Sequence, residues 1–170
     1  MVPAASCFTA TGDLDRAAFQ SNIDAYVGHG VDGVLVAGSS GESALLDDED
    51  RRQLLTWARA RLSDDQWLLA GVGSESTRQT ISRAHDAKAA GANAALVISP
   101  HYFLKRMTEP ALLAHFRAVA DASPLPVLLY NMPAYAHLVL SPAFVHEMAQ
   151  HENVIGMKDS AGNIPVFTQY

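Results

Sequence analysis

The sequence contains very little cysteine: Cys7 is the only one among its 170 residues. A single cysteine excludes a disulfide within the chain and any zinc site built from a cysteine cluster. It is compatible with a reducing compartment, and we expect Cys7 to behave as a small buried apolar residue. The first residues also lack the basic start and apolar stretch of a signal peptide, so we expect a cytoplasmic location.

Two further absences concern membranes and nucleic acids. No segment reaches the ~18 uninterrupted apolar residues of a membrane-spanning helix. The formal net charge is -6, and the sequence contains no block of basic residues. Because nucleic acids and anionic membranes bind basic surfaces, we expect no nucleic-acid partner and no membrane partner. A small-molecule substrate is the expected partner instead.

Several motifs of catalysis and metal binding are incomplete. The segment GVGSES (71–76) lacks the third glycine of a dinucleotide fingerprint. Glu42 stands where a nucleophile elbow around Ser40 would need a glycine. His146 and His151 lack the i, i+4 spacing that places two rings on one helical face. We therefore expect no metal site, and we expect the histidines to be ordinary surface or capping residues.

What the sequence does contain is a repeated unit, an apolar run followed by a helical pattern. The runs have strand length and do not alternate with polar residues, so each is predicted to be a parallel strand buried on both faces. Between them, apolar residues at three- and four-residue spacing predict helices, several with Asp, Ser or Thr at the start. The predicted strands lie around residues 2–7, 34–37, 67–70, 94–98, 127–130 and 154–155, and the predicted helices over 15–27, 47–61, 76–90, 108–122 and 141–150.

This order, at roughly 30 residues per unit, is typical of a βα-barrel or of a doubly wound sheet. No linker, low-complexity segment or charge run divides the chain, so we expect one domain over residues 1–170. The periodicity alone does not choose between the two architectures.

Polar motifs follow several of the predicted strands, and such loops share one face in parallel α/β folds. The segment GSSG (38–41) offers two hydroxyls and approachable backbone N–H groups, which suit a carboxylate or phosphate. A tight turn with solvated serines is the more common meaning of so short a motif. Tyr130 closes the fifth run, and its phenol either relays protons or is hydrogen-bonded for structure alone. Tyr102 lies near Pro100 in a predicted loop, where an aromatic residue more often packs against its neighbours than takes part in chemistry.

Lys158 closes the apolar run of residues 154–158. Such a lysine is solvated, paired with Asp159, or held in a dry pocket where the amine can attack a carbonyl carbon and form a Schiff base. A tyrosine and two serine hydroxyls predicted on the same face favour the third possibility.

Together these motifs resemble the dihydrodipicolinate synthase and N-acetylneuraminate lyase superfamily of class I aldolases. The resemblance covers essentially the whole sequence and follows the family order. It implies a TIM (β/α)8 barrel, of which about six of the eight βα units are present. The segments that carry it are GDLD (12–15), GSSGE (38–42), GVG (71–73), SPHY (99–102), YNMP (130–133) and GMKDS (156–160).

The resemblance implies a role for each candidate catalytic residue. Lys158 would be the Schiff-base lysine that captures pyruvate or another 2-oxo acid. Tyr130 would be the proton donor and acceptor, and Ser39 would connect it to Tyr102. In the family that last tyrosine usually reaches in from an adjacent subunit, so the resemblance also implies a homo-oligomer, a dimer or a tetramer.

The resemblance likewise assigns substrate binding to the loop of Gly38, Ser40 and Gly41, whose hydroxyl and amides would bind the 2-oxo acid carboxylate. A protonated imine is itself an electron sink, so C–C bonds next to it can form or break with no cofactor and no metal.

Two departures from the family refine this prediction. Tyr135 stands where dihydrodipicolinate synthases carry an arginine that binds the carboxylate of the aldehyde partner. This departure disfavours dihydrodipicolinate synthesis, and the segments 69–71, 74–77 and 156–160 resemble 4-hydroxy-2-oxoglutarate aldolases. We therefore predict a lyase of the 4-hydroxy-2-oxoglutarate aldolase type, with a dihydrodipicolinate synthase or a truncated non-catalytic member as alternatives. Because a complete barrel needs about 250 residues, we expect this chain to be a fragment with open strand edges, poor solubility and little activity.

Overall fold

The computed structural model describes every residue from Met1 to Tyr170. Its strands form one sheet in chain order, and the pairs of the first with the second, the second with the third and the fifth with the sixth are parallel. This confirms the predicted βα repeat. The six strands are β1 (Val2–Pro3), β2 (Gly33–Val36), β3 (Trp67–Gly71), β4 (Ala94–Ile98), β5 (Val127–Asn131) and β6 (Val154–Asp159).

The helices alternate with the strands, and the five predicted ones are present within a few residues of their expected ends. Two others, each of four residues, were not predicted, because a single turn has no hydrophobic period. The helices are α1 (Arg16–Gly28), α2 (Asp48–Arg59), α3 (Thr77–Ala89), α4 (Glu109–Ala122), α5 (Pro133–Ala136), α6 (Pro142–Met148) and α7 (Ile164–Phe167).

Short polar side chains set several helix starts. Asp15 accepts a hydrogen bond from the backbone of Ala18, and Asp47 forms a reciprocal capping box with Asp50. The side chain of Ser141 accepts a hydrogen bond from the backbone of Phe144 at the start of α6. These contacts satisfy backbone N–H groups that have no partner within the helix.

By its internal contacts the chain divides into two compact units. The first consists of Met1–Gly71 and His85–Ala95, and the second of Val72–Ala84 and Leu96–Tyr170. In the first unit every residue of β2 is buried, and Phe19 and Ile23 of α1 belong to the buried core.

In the second unit, the prediction that every strand is buried on both faces is wrong for β6. Four of its six residues are half-buried and two are exposed, and Ile155 is 51% exposed. A parallel strand is covered on both faces only when neighbouring elements lie on both sides of it. β6 is the last strand in the sheet order, and the helix that follows it has four residues. An apolar cavity of about 440 Å³, lined in part by Met157 and Phe167, lies beside it.

Candidate active site

The candidate lysine and tyrosine are paired residues of β5 and β6. Tyr130 lies opposite Lys158 in the parallel ladder, and one extra residue in β6, Ile155, shifts the register earlier in the strand. Without this β-bulge the ladder would place Met157 opposite Tyr130, and Lys158 would point to the other face of the sheet. The bulge therefore places the amine and the phenol on one face, and no sequence pattern predicted it.

The amine of Lys158 is held by two contacts. Its Nζ lies 4.0 Å from the centroid of the Tyr130 ring and donates a hydrogen bond to Ser160 Oγ at 2.8 Å. Tyr130 is 5% exposed, and Lys158 is half-buried. Attraction between an ammonium group and the ring face favours this position. A primary amine is thereby kept beside a phenol, the pair that imine formation with proton transfer requires.

A buried hydrogen-bond network joins the ends of these two strands. Asn131 is 1% exposed, and its Nδ2 donates to Asp159 Oδ1 at 2.6 Å and to the Tyr170 hydroxyl at 3.3 Å. Its Oδ1 accepts from the backbone N–H of Leu140 at 3.1 Å, and the Tyr170 hydroxyl donates to the Leu140 carbonyl at 2.7 Å. Burial, with a further contribution from Asp159, raises the pKa of Tyr170. Sequence reasoning assigned no role to this asparagine.

Tyr102 lies in the loop that follows β4, with its ring mostly in solvent. It is 77% exposed and packs edge-on against Phe103, with the ring centroids 4.9 Å apart. Its backbone is nevertheless held, because the carboxylate of Glu75 accepts from the N–H groups of His101 and Tyr102, each at 2.9 Å. Sequence reasoning missed Glu75, although an acidic residue beside a glycine-rich turn was a possible signal.

The serine loop belongs to the first unit and follows β2. Ser39–Gly41 form one turn of 3-10 helix, with Ser39 half-buried and Ser40 exposed. The N–H of Gly41 donates to the Gly38 carbonyl at 3.0 Å. This amide, predicted to face a carboxylate, is therefore used within the turn.

Gly41 instead has a packing role in this loop. A Cβ at this position would lie 2.9 Å from the carbonyl oxygen of Ala4, and Ser6 Oγ donates to the Gly41 carbonyl at 2.7 Å. The lack of a side chain lets the turn approach the segment after β1.

A buried arginine holds the serine loop from the helix side. Arg51 of α2 is 6% exposed, and its guanidinium donates to the backbone carbonyls of Ser43 and Gly71, the latter at 3.0 Å. These bonds connect the loop after β2 to the end of β3. Sequence reasoning missed Arg51, since an arginine on an amphipathic helix normally faces solvent.

One histidine departs from the expectation of surface or capping roles. His115 of α4 is 7% exposed, and its Nδ1 lies 2.8 Å from Thr77 Oγ1. Burial lowers its pKa from 6.5 to about 4, although the charge of Glu75 acts in the opposite direction. His115 is therefore a neutral core residue at neutral pH.

Comparison with known proteins gives consistent matches over the whole chain. The model of the dihydrodipicolinate synthetase family matches residues 1–170. A 4-hydroxy-tetrahydrodipicolinate synthase of Stenotrophomonas maltophilia is 42% identical over 159 residues, which cover 94% of this chain and 53% of that protein. A protein of Emericella nidulans named "probable 4-hydroxy-2-oxoglutarate aldolase, mitochondrial" is 39% identical over 99% of this chain and 56% of its own length.

Among solved structures, a prophage protein of the dihydrodipicolinic acid synthase family from E. coli K12, in complex with pyruvate, matches with a TM-score of 0.92 and 34% identity. That match covers 99% of this chain and 57% of the other. The chain thus spans about half the length of the relatives it matches. None of its helices combines the length and apolarity needed to cross a membrane.

Proposed function

Because the chain belongs to the dihydrodipicolinate synthetase family, we propose that it is a class I aldolase that binds pyruvate or another 2-oxo acid as a Schiff base. Membership confirms the family that the sequence motifs predicted. The structural matches place the fold in the (β/α)8 barrel family, with six of its βα units present. The observation that carries the proposed activity is the 4.0 Å approach of Lys158 Nζ to the Tyr130 ring.

In the proposed reaction, the neutral amine of Lys158 attacks the carbonyl carbon of the 2-oxo acid to give a carbinolamine. Loss of water from that adduct gives an imine, whose protonated form accepts the electron pair of a neighbouring C–C bond when the bond breaks. The phenol of Tyr130 gives and receives the protons of these steps. The contact between the amine and the face of the buried Tyr130 ring supports this role for Lys158.

We assign binding of the substrate carboxylate to the loop that carries Ser40, with Gly38 and Gly41 shaping its turn. Ser39 would connect Tyr130 to Tyr102. The exposed ring of Tyr102 on a fixed backbone supports action across a subunit boundary in a homo-oligomer. We further propose that residues 1–170 belong to one domain and that the protein is cytoplasmic, as its single free cysteine allows.

For the substrate, we propose a 4-hydroxy-2-oxo acid of the kind cleaved by 4-hydroxy-2-oxoglutarate aldolases. Tyr135, which is 59% exposed on α5, cannot form the bidentate salt bridge that an arginine makes with a carboxylate. The second candidate is dihydrodipicolinate synthesis, which the Stenotrophomonas relative favours by its name and identity. Efficient condensation of pyruvate with aspartate semialdehyde would select this second candidate.

Borohydride trapping with pyruvate tests the proposed activity. The chain has only three lysines, Lys88, Lys105 and Lys158, so the reduced adduct can be assigned by peptide mass spectrometry. We expect one adduct, on Lys158, and none in Lys158→Arg. The matched control is Lys105→Arg, which changes an exposed lysine and should keep the adduct. A folded protein without an adduct would instead be a non-catalytic family member.

A further inference from the structure

We propose that Asn131 is a positioning residue for the amine of Lys158, and that it acts through Asp159 and Ser160 without touching the substrate. The inference rests on the proposed function, because it concerns the placement of the amine that forms the imine.

Both residues that follow Lys158 are tied to Asn131. The backbone N–H of Ser160 donates to the carbonyl oxygen of Asn131 at 2.9 Å, and the side-chain amide of Asn131 donates to Asp159 Oδ1 at 2.6 Å. Ser160 Oγ in turn accepts from Lys158 Nζ at 2.8 Å. Asn131 therefore holds the backbone of Ser160 and the side chain of Asp159, and Ser160 in turn holds the amine.

Asn131 does not face the amine itself. It pairs with Asp159 in the ladder, as Tyr130 pairs with Lys158, and successive strand residues point to opposite faces. Its influence on the chemistry therefore passes through the end of β6.

With Asp159 opposite, the partners at this position match an amide. The Nδ2 group donates to Asp159 and Tyr170, while Oδ1 accepts from the Leu140 N–H. Aspartate would supply acceptors only, and one of them would lie against the carboxylate of Asp159. Because Asn131 is 1% exposed, water cannot readily replace the lost donors. Asn131→Asp would therefore push the end of β6 away from β5.

Small displacements of a nucleophile have large effects, since an error of about 1 Å can cost roughly 10²-fold in rate. We therefore expect Asn131→Asp to slow borohydride-trapped imine formation at saturating pyruvate by roughly 10- to 100-fold.

In the double variant Asn131→Asp/Asp159→Asn, an amide again faces a carboxylate with the hydrogen-bond direction reversed. We expect this swap to regain most of the lost rate.

Asn153→Asp is the matched control. Asn153 lies just before β6, and its Nδ2 donates to the carbonyls of Ala120, Ser123 and Leu125. Its substitution also removes amide donors at a strand end, but at the end remote from Lys158. We expect lower thermal stability with an adduct rate on the folded protein within about twofold of the unsubstituted chain, since position and not stability controls the rate.

Four results would overturn the positioning role: an unchanged rate in Asn131→Asp, a folded swap variant that stays slow, an equal loss of rate in Asn153→Asp, or failure of the single and swap variants to fold. The last would show that Asn131 serves folding alone.

If the unsubstituted chain forms no adduct, the proposed function fails separately. The reactivity of Lys158 toward an acylating reagent, relative to Lys88 and Lys105, then decides whether Asn131→Asp moves the amine.

Discussion

β2 and β6 are both apolar parallel strands that lead to candidate site residues, but the structure buries them very differently. Every residue of β2 is buried, between β1 and β3 in the sheet order. β6 is the last strand in that order, and its Ile155 is 51% exposed. The apolar content of a strand therefore does not determine its burial, which depends on the elements packed around it.

The two strands also differ in regularity. β2 pairs with β3 without interruption, from Gly33 opposite Trp67 to Val36 opposite Ala70. β6 contains the bulge at Ile155, and its catalytic candidate lies within the strand instead of after it. The regular strand β2 ends at the serine loop, whereas the register shift in β6 places Lys158 opposite Tyr130.

The largest difference is expected when the same glycine substitution is made in both strands. A Cβ at Gly33 would lie 2.2 Å from the backbone oxygen of Trp67, whereas at Gly156 the nearest atom is Leu128 Cδ2 at 3.7 Å. Gly33→Ala should lower the unfolding free energy by more than about 3 kcal/mol or prevent folding. Gly156→Ala should cost about 1–3 kcal/mol, because of its positive backbone φ. Urea unfolding measures both losses, and equal losses would show that β2 is not packed more tightly than β6.

Truncation of one aliphatic side chain in each strand should give the next largest difference. Leu35 of β2 is 4% exposed, and Ile155 of β6 is 51% exposed. Leu35→Ala should cost about 3 kcal/mol, because it leaves a cavity in packed surroundings. Ile155→Ala should cost less than about 1 kcal/mol, since half of that side chain already contacts water. A loss at Ile155 as large as that at Leu35 would mean that another element covers β6 in solution.

Tyr130→Phe tests whether the β5–β6 pair carries the chemistry. It removes only the phenolic oxygen, so the chain should fold normally while turnover falls by roughly 10²-fold, equivalent to about 2.7 kcal/mol of barrier. Tyr26→Phe on α1 in the first unit is the control and should leave turnover unchanged. Steady-state aldol cleavage with thermal unfolding measures both properties. Full activity in Tyr130→Phe would remove this tyrosine from the mechanism.

The smallest expected effect concerns pH and separates the two units. His115, in the second unit, has a pKa near 4 in the folded chain and 6.5 in the unfolded chain. The unfolded state therefore binds more protons between these values, and stability falls as the pH drops from 6.5 toward 4. The loss should reach about 2 kcal/mol near pH 5.

Chemical unfolding across this pH range measures that loss. His115→Asn should reduce the pH dependence, whereas His85→Asn, at an exposed position of the first unit, should not. An unchanged pH dependence in His115→Asn would place the titration elsewhere.

The order and type of the main elements follow from the sequence pattern alone. Long helices repeat apolar residues at a helical period, and parallel strands are short continuous apolar runs, so both are visible in local patterns. The candidate site was also visible in part, because Lys158, Tyr130 and the serine loop lie at predicted strand ends. The one-turn helices α5 and α7 were missed because they are too short to show a period.

Features that depend on contacts between distant residues are set by the folded chain and could not be predicted from local sequence. The bulge at Ile155 is a relation between two strands, and the burial of Arg51 and His115 depends on what packs against their helices. Asn131 is a polar residue at the end of an apolar strand, and its partners Asp159 and Tyr170 are 28 and 39 residues away in sequence. Local patterns record which residues can be buried or bonded, but folding selects their partners and so sets the register that orients Lys158.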